Sequence, residues 1–132
     1  MKKTIDNIDK ILALEEILKP TGYDIFLHSF TSETLPDRFL LAKSINQHDD
    51  GNTLIDGTAE VCIYAKNLKR GNDQSLPNLS VIKEMTNIVL PLLNDGQKNQ
   101  IFFNSLATNI VNDADIRYHY NSVILETKSV NI

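Results

Sequence analysis

Cysteine and glycine are scarce in this sequence, which has one Cys and five Gly among its 132 residues. The single cysteine, Cys62, cannot form an intrachain disulfide, and its apolar neighbours favour a small buried side chain over a reactive thiol. The scattered glycines form neither a Gly-x-Gly-x-x-Gly turn nor a Walker-type Gly-Lys-Ser/Thr loop. A phosphate-binding loop is therefore disfavoured.

Basic residues are also too few for a protein that binds nucleic acid. Thirteen Lys and Arg stand against seventeen Asp and Glu, which gives a net charge of −4. A surface that binds a duplex usually needs a clear excess of basic charge. The sequence predicts no nucleic-acid partner.

Long apolar runs are absent as well. The longest mostly apolar stretch, 81–93, contains Lys83 and Glu84 and falls short of the ~20 residues that span a bilayer. Near the start of the chain, Asp6 and Asp9 stand where a signal peptide would need an unbroken apolar run. We expect an intracellular protein with no membrane partner.

Catalytic motifs are missing too. The three histidines, His28, His48 and His119, lie in separate segments, and none is paired with a Ser or Cys by a known signature. There is no Gly-x-Ser-x-Gly elbow. The sequence predicts a protein that is not an enzyme and needs no cofactor.

One acidic loop is the strongest candidate for a metal site. The run His48-Asp49-Asp50-Gly51-Asn52, with Asp56 close behind, offers oxygen ligands for a hard divalent cation. It lacks the spacing and the distal Glu of an EF-hand, and its residue types are those of a tight turn. We interpret it as a loop tip, and a small metal-dependent enzyme using His48, Asp49, Asp50 and Asp56 stays as an alternative hypothesis.

The hydrophobic pattern predicts one α+β domain over residues 1–132. Helices are predicted over 4–19 and 78–93, and strands over 23–30, 39–47, 58–66, 101–111 and 116–128. The order α-β-β-β-α-β-β indicates a mostly antiparallel sheet, made of a three-stranded meander and a C-terminal hairpin, with both helices packed against it. Residues 67–77 are predicted to be an exposed loop.

Three local features refine this scheme. Apolar Ile5, Ile8, Ile11, Leu12 and Leu18 recur at helical spacing, so we expect them on the core face of the first helix. In the second helix, a proline at position 91 predicts a kink or an early end. A glycine at position 57 is expected to close the acidic loop.

The polar residues of the last strand suggest an interface. His119 lies between Tyr118 and Tyr120, so strand alternation places it on the opposite face, beside Arg117 and Asn121. This polar strip is either a half-exposed sheet face or a docking surface, since Arg and aromatic residues are enriched in interfaces. The candidate interface residues are Asp49, Asp50, Asn52, Asp56, Lys69, Arg70, Arg117 and His119.

The layout resembles a known family. A helix ends near Pro20, an aromatic strand entry Gly-Tyr-Asp-Ile follows at 22–25, and an acidic loop containing glycine occupies 48–57. The third strand ends in Val-Cys-Ile-Tyr-Ala-Lys at 61–66, before a polar loop, the helix at 79–93 and a closing hairpin. These features are similar to the tail terminator, or tail completion, family of long-tailed bacteriophages and prophages.

The resemblance implies a structural role in virion assembly. Proteins of this family form a ring, usually of six copies, that caps the tail tube at its head-proximal end and meets the head connector. It implies a homo-oligomer found in the bacterial cytoplasm during assembly and then in the virion tail. Residues 97–100 carry no family signature, and no functional residue is transferred. The alternative is a small non-catalytic binding module for a host protein or a small molecule.

Overall fold

A six-stranded sheet with two helices on one face forms the fold. The computed structural model describes residues 6–31, 33–49 and 54–130. The helices are α1 (Asn7–Leu18) and α2 (Leu79–Leu93), and the strands are β1 (Asp24–Leu27), β2 (Arg38–Asp49), β3 (Leu54–Lys66), β4 (Leu68–Arg70), β5 (Asp73–Leu76), β6 (Gly96–Lys98), β7 (Ile101–Asp113) and β8 (Tyr118–Val130). Neither helix is long and apolar enough to span a membrane.

The strands of the main sheet follow the order β1-β2-β3-β8-β7-β6. All neighbouring pairs are antiparallel except β1 and β2, which are parallel. The predicted α+β class, with a mostly antiparallel sheet and two helices, is confirmed. The predicted antiparallel meander of the first three strands is wrong, because the connection between β1 and β2 returns the chain in the same direction.

A second, two-stranded sheet lies in the segment predicted to be a loop. Strands β4 and β5 form a short hairpin, in which Arg70 pairs with Asp73. Gly71 occupies the turn with a φ of 62°, a left-handed conformation that glycine adopts without strain. The strands have three and four residues, too short to give a clear alternating pattern in the sequence.

Helix α2 does not stop early at Pro91 but runs to the end of its predicted range, 78–93. It continues to Leu93, so the proline lies within its last turn. Proline removes one backbone hydrogen bond there, but Val89 and Leu93 are fully buried on the core side of the same turn. Burial of these apolar side chains outweighs the loss of one bond near the helix end.

Helix α1 begins later than predicted, at Asn7. The side chain of Asp6 accepts hydrogen bonds from the backbone N–H groups of Ile8 and Asp9, both at 3.0 Å. The Asp9 carboxylate in turn accepts the Asp6 N–H at 3.0 Å, which completes a capping box. This reciprocal cap fixes the start of the helix.

The face of α1 that packs on the sheet differs from the prediction. Ile8 and Leu12 are 66% and 47% exposed, whereas Ala13 and Leu14 are fully buried. Ile5 lies outside the described residues. The helix has apolar residues on more than one side, so the hydrophobic spacing alone fits more than one face. Leu18 is buried, as predicted.

Both helices cover the same face of the sheet. Their buried side chains pack against alternating residues of the central strands, which form the main core. These core residues are Ala13, Leu14, Leu18, Leu40, Ala42, Ala59, Val61, Ile63, Ala65, Ile82, Met85, Val89, Leu93, Ile101, Phe103, Val123 and Leu125.

The opposite face of the sheet carries an aromatic cluster. Tyr64 stacks on Phe39 at 4.5 Å and on Tyr120 at 4.6 Å between ring centroids. Phe30 packs edge-on against Phe39 and Tyr64, and the hydroxyl of Tyr118 donates to the Pro36 carbonyl at 2.8 Å. The connection between β1 and β2 is therefore held over this end of the face.

A lysine is buried where α1 meets the hairpin of β2 and β3. Lys10 is fully buried, and its Nζ donates to the Asn46 carbonyl at 3.2 Å. Gly57 lies within β3, not in the loop as expected, and a Cβ there would overlap both Lys10 Nζ and the Asn46 carbonyl. Burial lowers the pKa of Lys10 to about 8.

Replacing this lysine is expected to change the pH dependence of stability. Below about pH 8 Lys10 is charged in both the folded and the unfolded state, and burying that charge costs stability. Between about pH 8 and 10.5 only the unfolded chain keeps the proton, so the free energy of unfolding rises with pH. Because methionine does not titrate, the free energy of unfolding of Lys10→Met should rise by about 2–3 kcal/mol less than that of the wild type over this pH range. Urea denaturation of both proteins between pH 7 and 10.5 measures the difference, since the other titrations are common to both. Equal pH slopes would contradict the assignment.

Candidate interaction surface

Most of strand β7 has an open edge. Only Ile101–Phe103 pair with β6, and residues 104–113 have no strand beside them on that side within the described part of the chain. Natural sheet edges usually carry lysine, proline or another guard against pairing with a foreign strand. Residues 104–112 contain no charged residue and no proline. Apart from a register shift between Ser105 and Ala107, this edge is open to a second strand.

Exposed apolar side chains accompany this edge. Leu106 is 59% exposed and Ile110 is 44% exposed. Ile110 pairs with Asn121 of β8 on the face that carries the helices, next to α2. Leu79, at the start of α2, is exposed on the same side of the molecule. These side chains are costly to leave in water and are available to a partner.

A groove of about 400 Å³ runs between α2 and β7. Its walls are mainly aliphatic, and the ammonium of Lys83 is the one charged group among the lining residues. The lining residues are Leu79, Ile82, Lys83, Thr86, Leu90, Thr108, Ile110 and Asn121. A second depression beside Pro91 shares Lys83, Thr86 and Leu90 with it, so the two adjoin along α2. The arrangement fits an elongated apolar occupant.

A buried amide at the base of the groove has a fixed orientation. The Thr86 hydroxyl donates to the Ile82 carbonyl at 2.7 Å, so it can only accept from the Asn121 amide nitrogen, which lies 3.2 Å away. The Asn121 Oδ1 then faces away from Thr86, and it is buried without a donor among the described residues. A water molecule or a partner's N–H or O–H group would satisfy it.

The predicted interface residues fall into two separate groups. Asp49 ends β2 and Asp56 lies exposed in β3, at one end of the sheet, whereas Asp50 and Asn52 lie outside the described residues. Lys69 and Arg70 lie on β4, which follows the other end of β3. From Asp56 to Lys66, where β3 ends, the chain advances ten residues, a span of about 33 Å at ~3.3 Å per residue.

Arg117 and His119 lie near the end of β3 that leads into β4, and their side chains form hydrogen bonds within the fold. The Arg117 guanidinium donates to Gln74 Oε1 at 2.7 Å, on the hairpin of β4 and β5. Asn67 donates its amide to the Gln74 carbonyl at 2.9 Å, so its Oδ1 accepts from His119 Nδ1 at 2.7 Å. These bonds attach the hairpin to β8.

The polar strip of β8 is not a half-exposed sheet face in this chain. His119 and Asn121 do lie opposite Tyr118 and Tyr120, as predicted, but both are buried. Their face is covered by α2 and by the hairpin of β4 and β5. Burial of the strip depends on elements that are distant in sequence, so strand alternation could not indicate it.

No metal centre is found among the described residues. Within them, no group of three or more His, Cys, Asp or Glu side chains could hold a metal ion. The acidic loop predicted as a turn does join β2 to β3, but its central residues, 50–53, lie outside the description.

The groove was missed by sequence reasoning, although part of its signal is visible. The predicted strand over 101–111 contains no charged residue, and Leu106 and Ile110 follow polar Ser105 and Asn109 there. No local sequence pattern indicates that Leu79 and Lys83 line the groove, because their position depends on where α2 crosses the sheet.

Comparison with known proteins adds no functional assignment. No protein-family model matches the chain, and no curated protein matches it at a significant level. Functional inference therefore rests on the surfaces described above.

Cys62 is buried in the aromatic cluster, which confirms the interpretation of a structural thiol. Burial, and then the nearby Glu60 carboxylate, raise the pKa of the thiol well above its ordinary range. Since the thiolate is the reactive form, we expect the native protein to react with an aromatic disulfide reagent at least about tenfold more slowly than the urea-unfolded chain. Absorbance of the released thiolate measures both rates at one pH. Equal rates would show that Cys62 is accessible.

Proposed function

We propose that this chain is a structural virion-assembly protein of a phage or prophage, which forms a ring that caps the tail tube and joins it to the head connector. The observation that supports a docking role is the uncharged open edge of β7 beside the apolar groove. The resemblance to the tail terminator family supplies the identity of the assembly.

The open edge favours a protein partner over a small molecule. A row of free backbone N–H and C=O groups is complementary to an extended strand of another chain, which can pair along residues 104–113. Such pairing would also bury Leu106 and Ile110, whose exposed apolar surface is a liability in an isolated subunit. Docking therefore satisfies both the polar and the apolar parts of this surface.

The sheet has a second open segment, on the opposite side. Strand β1 pairs only with Phe39–Ala42 of β2, so residues 43–49 have no neighbour beyond them within the described part of the chain. Ile45 is exposed there. A head-to-tail interface joins two different patches of the same chain, and repeating it closes a ring when the rotation allows. Two unlike open segments on one sheet are compatible with that symmetry.

The mass of the purified protein in solution tests the ring. Light scattering over a wide concentration range, at low and moderate salt, should show a discrete species near six times the 14.9 kDa chain. A ring held by apolar contacts and strand pairing should persist at moderate salt, because screening weakens only exposed charge pairs. A single monomeric species up to the solubility limit would count against self-assembly.

A lysine on the open edge should weaken the assembly. Leu106→Lys places a charge where a partner strand would pair, and we expect association to be weaker by at least about tenfold, or ~1.4 kcal/mol. Leu76→Lys, at an exposed position on β5, is the matched control and should assemble like the wild type. Sedimentation velocity measures association, and thermal unfolding checks that both variants are folded. Wild-type assembly by folded Leu106→Lys would exclude this edge.

A further inference from the structure

The solvent face of α1 carries an apolar ridge formed by Ile8 and Leu12. These residues are one helical turn apart, so their side chains lie together on one face. The core of the same chain uses the opposite face, through Ala13 and Leu14. The ridge is an apolar helix surface that the described part of its own chain does not cover.

The ridge is acidic at its margins. Asp9, Glu15 and Glu16 flank Leu12 at three- and four-residue spacing, and of these Glu16 is paired with Lys19 at 2.7 Å. The groove between α2 and β7 carries the opposite charge, since Lys83 lies at its rim and forms no ion pair with any described residue. The two surfaces are complementary in both polarity and charge.

The ridge cannot reach the groove of its own chain. Helix α1 packs on β2 and β6, with the ridge directed away from the sheet, whereas the groove lies between α2 and β7. An occupant with this ridge must therefore come from another molecule.

We propose that the α1 ridge of one copy docks into the α2–β7 groove of a second copy. This rests on the proposed self-assembly and names its contact. An amphipathic helix that places anchors at i and i+4 in an apolar groove is a common mode of protein recognition. The carboxylates beside Leu12 then lie next to Lys83, which orients the helix along the groove.

The contact is heterologous, because ridge and groove are different surfaces. Each copy offers its ridge to one neighbour and its groove to another, so the contact repeats until a ring closes. A copy with a blocked ridge still has a groove, and a copy with a blocked groove still has a ridge. This difference gives a test that a symmetric interface would not pass.

Two variants that each block one surface provide the experiment. Leu12→Glu blocks the ridge, and Ile110→Glu blocks the groove while repelling the acidic margins of the ridge. Each variant alone should associate at least about tenfold more weakly than the wild type. An equimolar mixture should form a one-to-one complex of twice the chain mass, since one intact ridge meets one intact groove. Light scattering coupled to size exclusion measures all three samples.

Matched controls separate folding from docking. Ile88→Glu changes an exposed apolar residue of α2 outside the groove lining, and should assemble like the wild type. Leu12→Gln is a milder change at the ridge and should weaken association in the same direction. Circular dichroism and thermal unfolding establish that each variant is folded before its mass is interpreted.

The outcomes distinguish this contact from the proposed function. A one-to-one complex from two variants that are monomeric alone supports the ridge-and-groove contact. If the wild type forms rings and folded Leu12→Glu or Ile110→Glu does so equally well, the contact is wrong and the assembly role stands. If both variants are folded and monomeric but their mixture stays monomeric, the contact is also wrong. A wild type that is monomeric up to its solubility limit overturns both proposals.

Discussion

The ladder between β3 and β8 is the interaction on which the rest of the structure depends. It runs unbroken from Leu54 opposite Val130 to Lys66 opposite Tyr118. This pairing places the last strand in the middle of the sheet, and β7, which precedes it, becomes an outer strand. Because β6 is only three residues long, most of β7 has no outer neighbour among the described strands. The open edge and the groove beside it are therefore consequences of a pairing between distant parts of the chain.

The two faces of that ladder are covered in different ways. One face packs against both helices, and its alternating aliphatic residues form the main core. The other carries the stacked rings of Phe39, Tyr64 and Tyr120, closed at one end by the connection after β1. With both helices on one side, α1 is left with an apolar solvent face and α2 forms one wall of the groove. The surfaces proposed for assembly thus arise from the same asymmetric layering.

Buried polar groups hold the edges of this arrangement. Lys10 attaches α1 to the hairpin of β2 and β3 through the Asn46 carbonyl, and Gly57 leaves the space for its ammonium. At the other end, His119 and Asn67 attach the small hairpin of β4 and β5 to β8. Each group is buried with a specific partner, as polar groups removed from water require. Such contacts specify how peripheral elements attach to a sheet that apolar packing builds.

The sequence by itself determined the α+β class, the positions of both helices and most strands, and the burial of Cys62, because periodicity and residue type act over a few neighbouring positions. Only the tertiary structure decided which face of α1 is buried, that β1 runs parallel to β2, that His119 is enclosed, and that β7 and α2 form a groove. A helix with apolar residues on more than one side can pack on the core by any of them, and an edge exists only relative to the strands around it. These features depend on contacts between segments far apart in the chain, which local patterns do not contain.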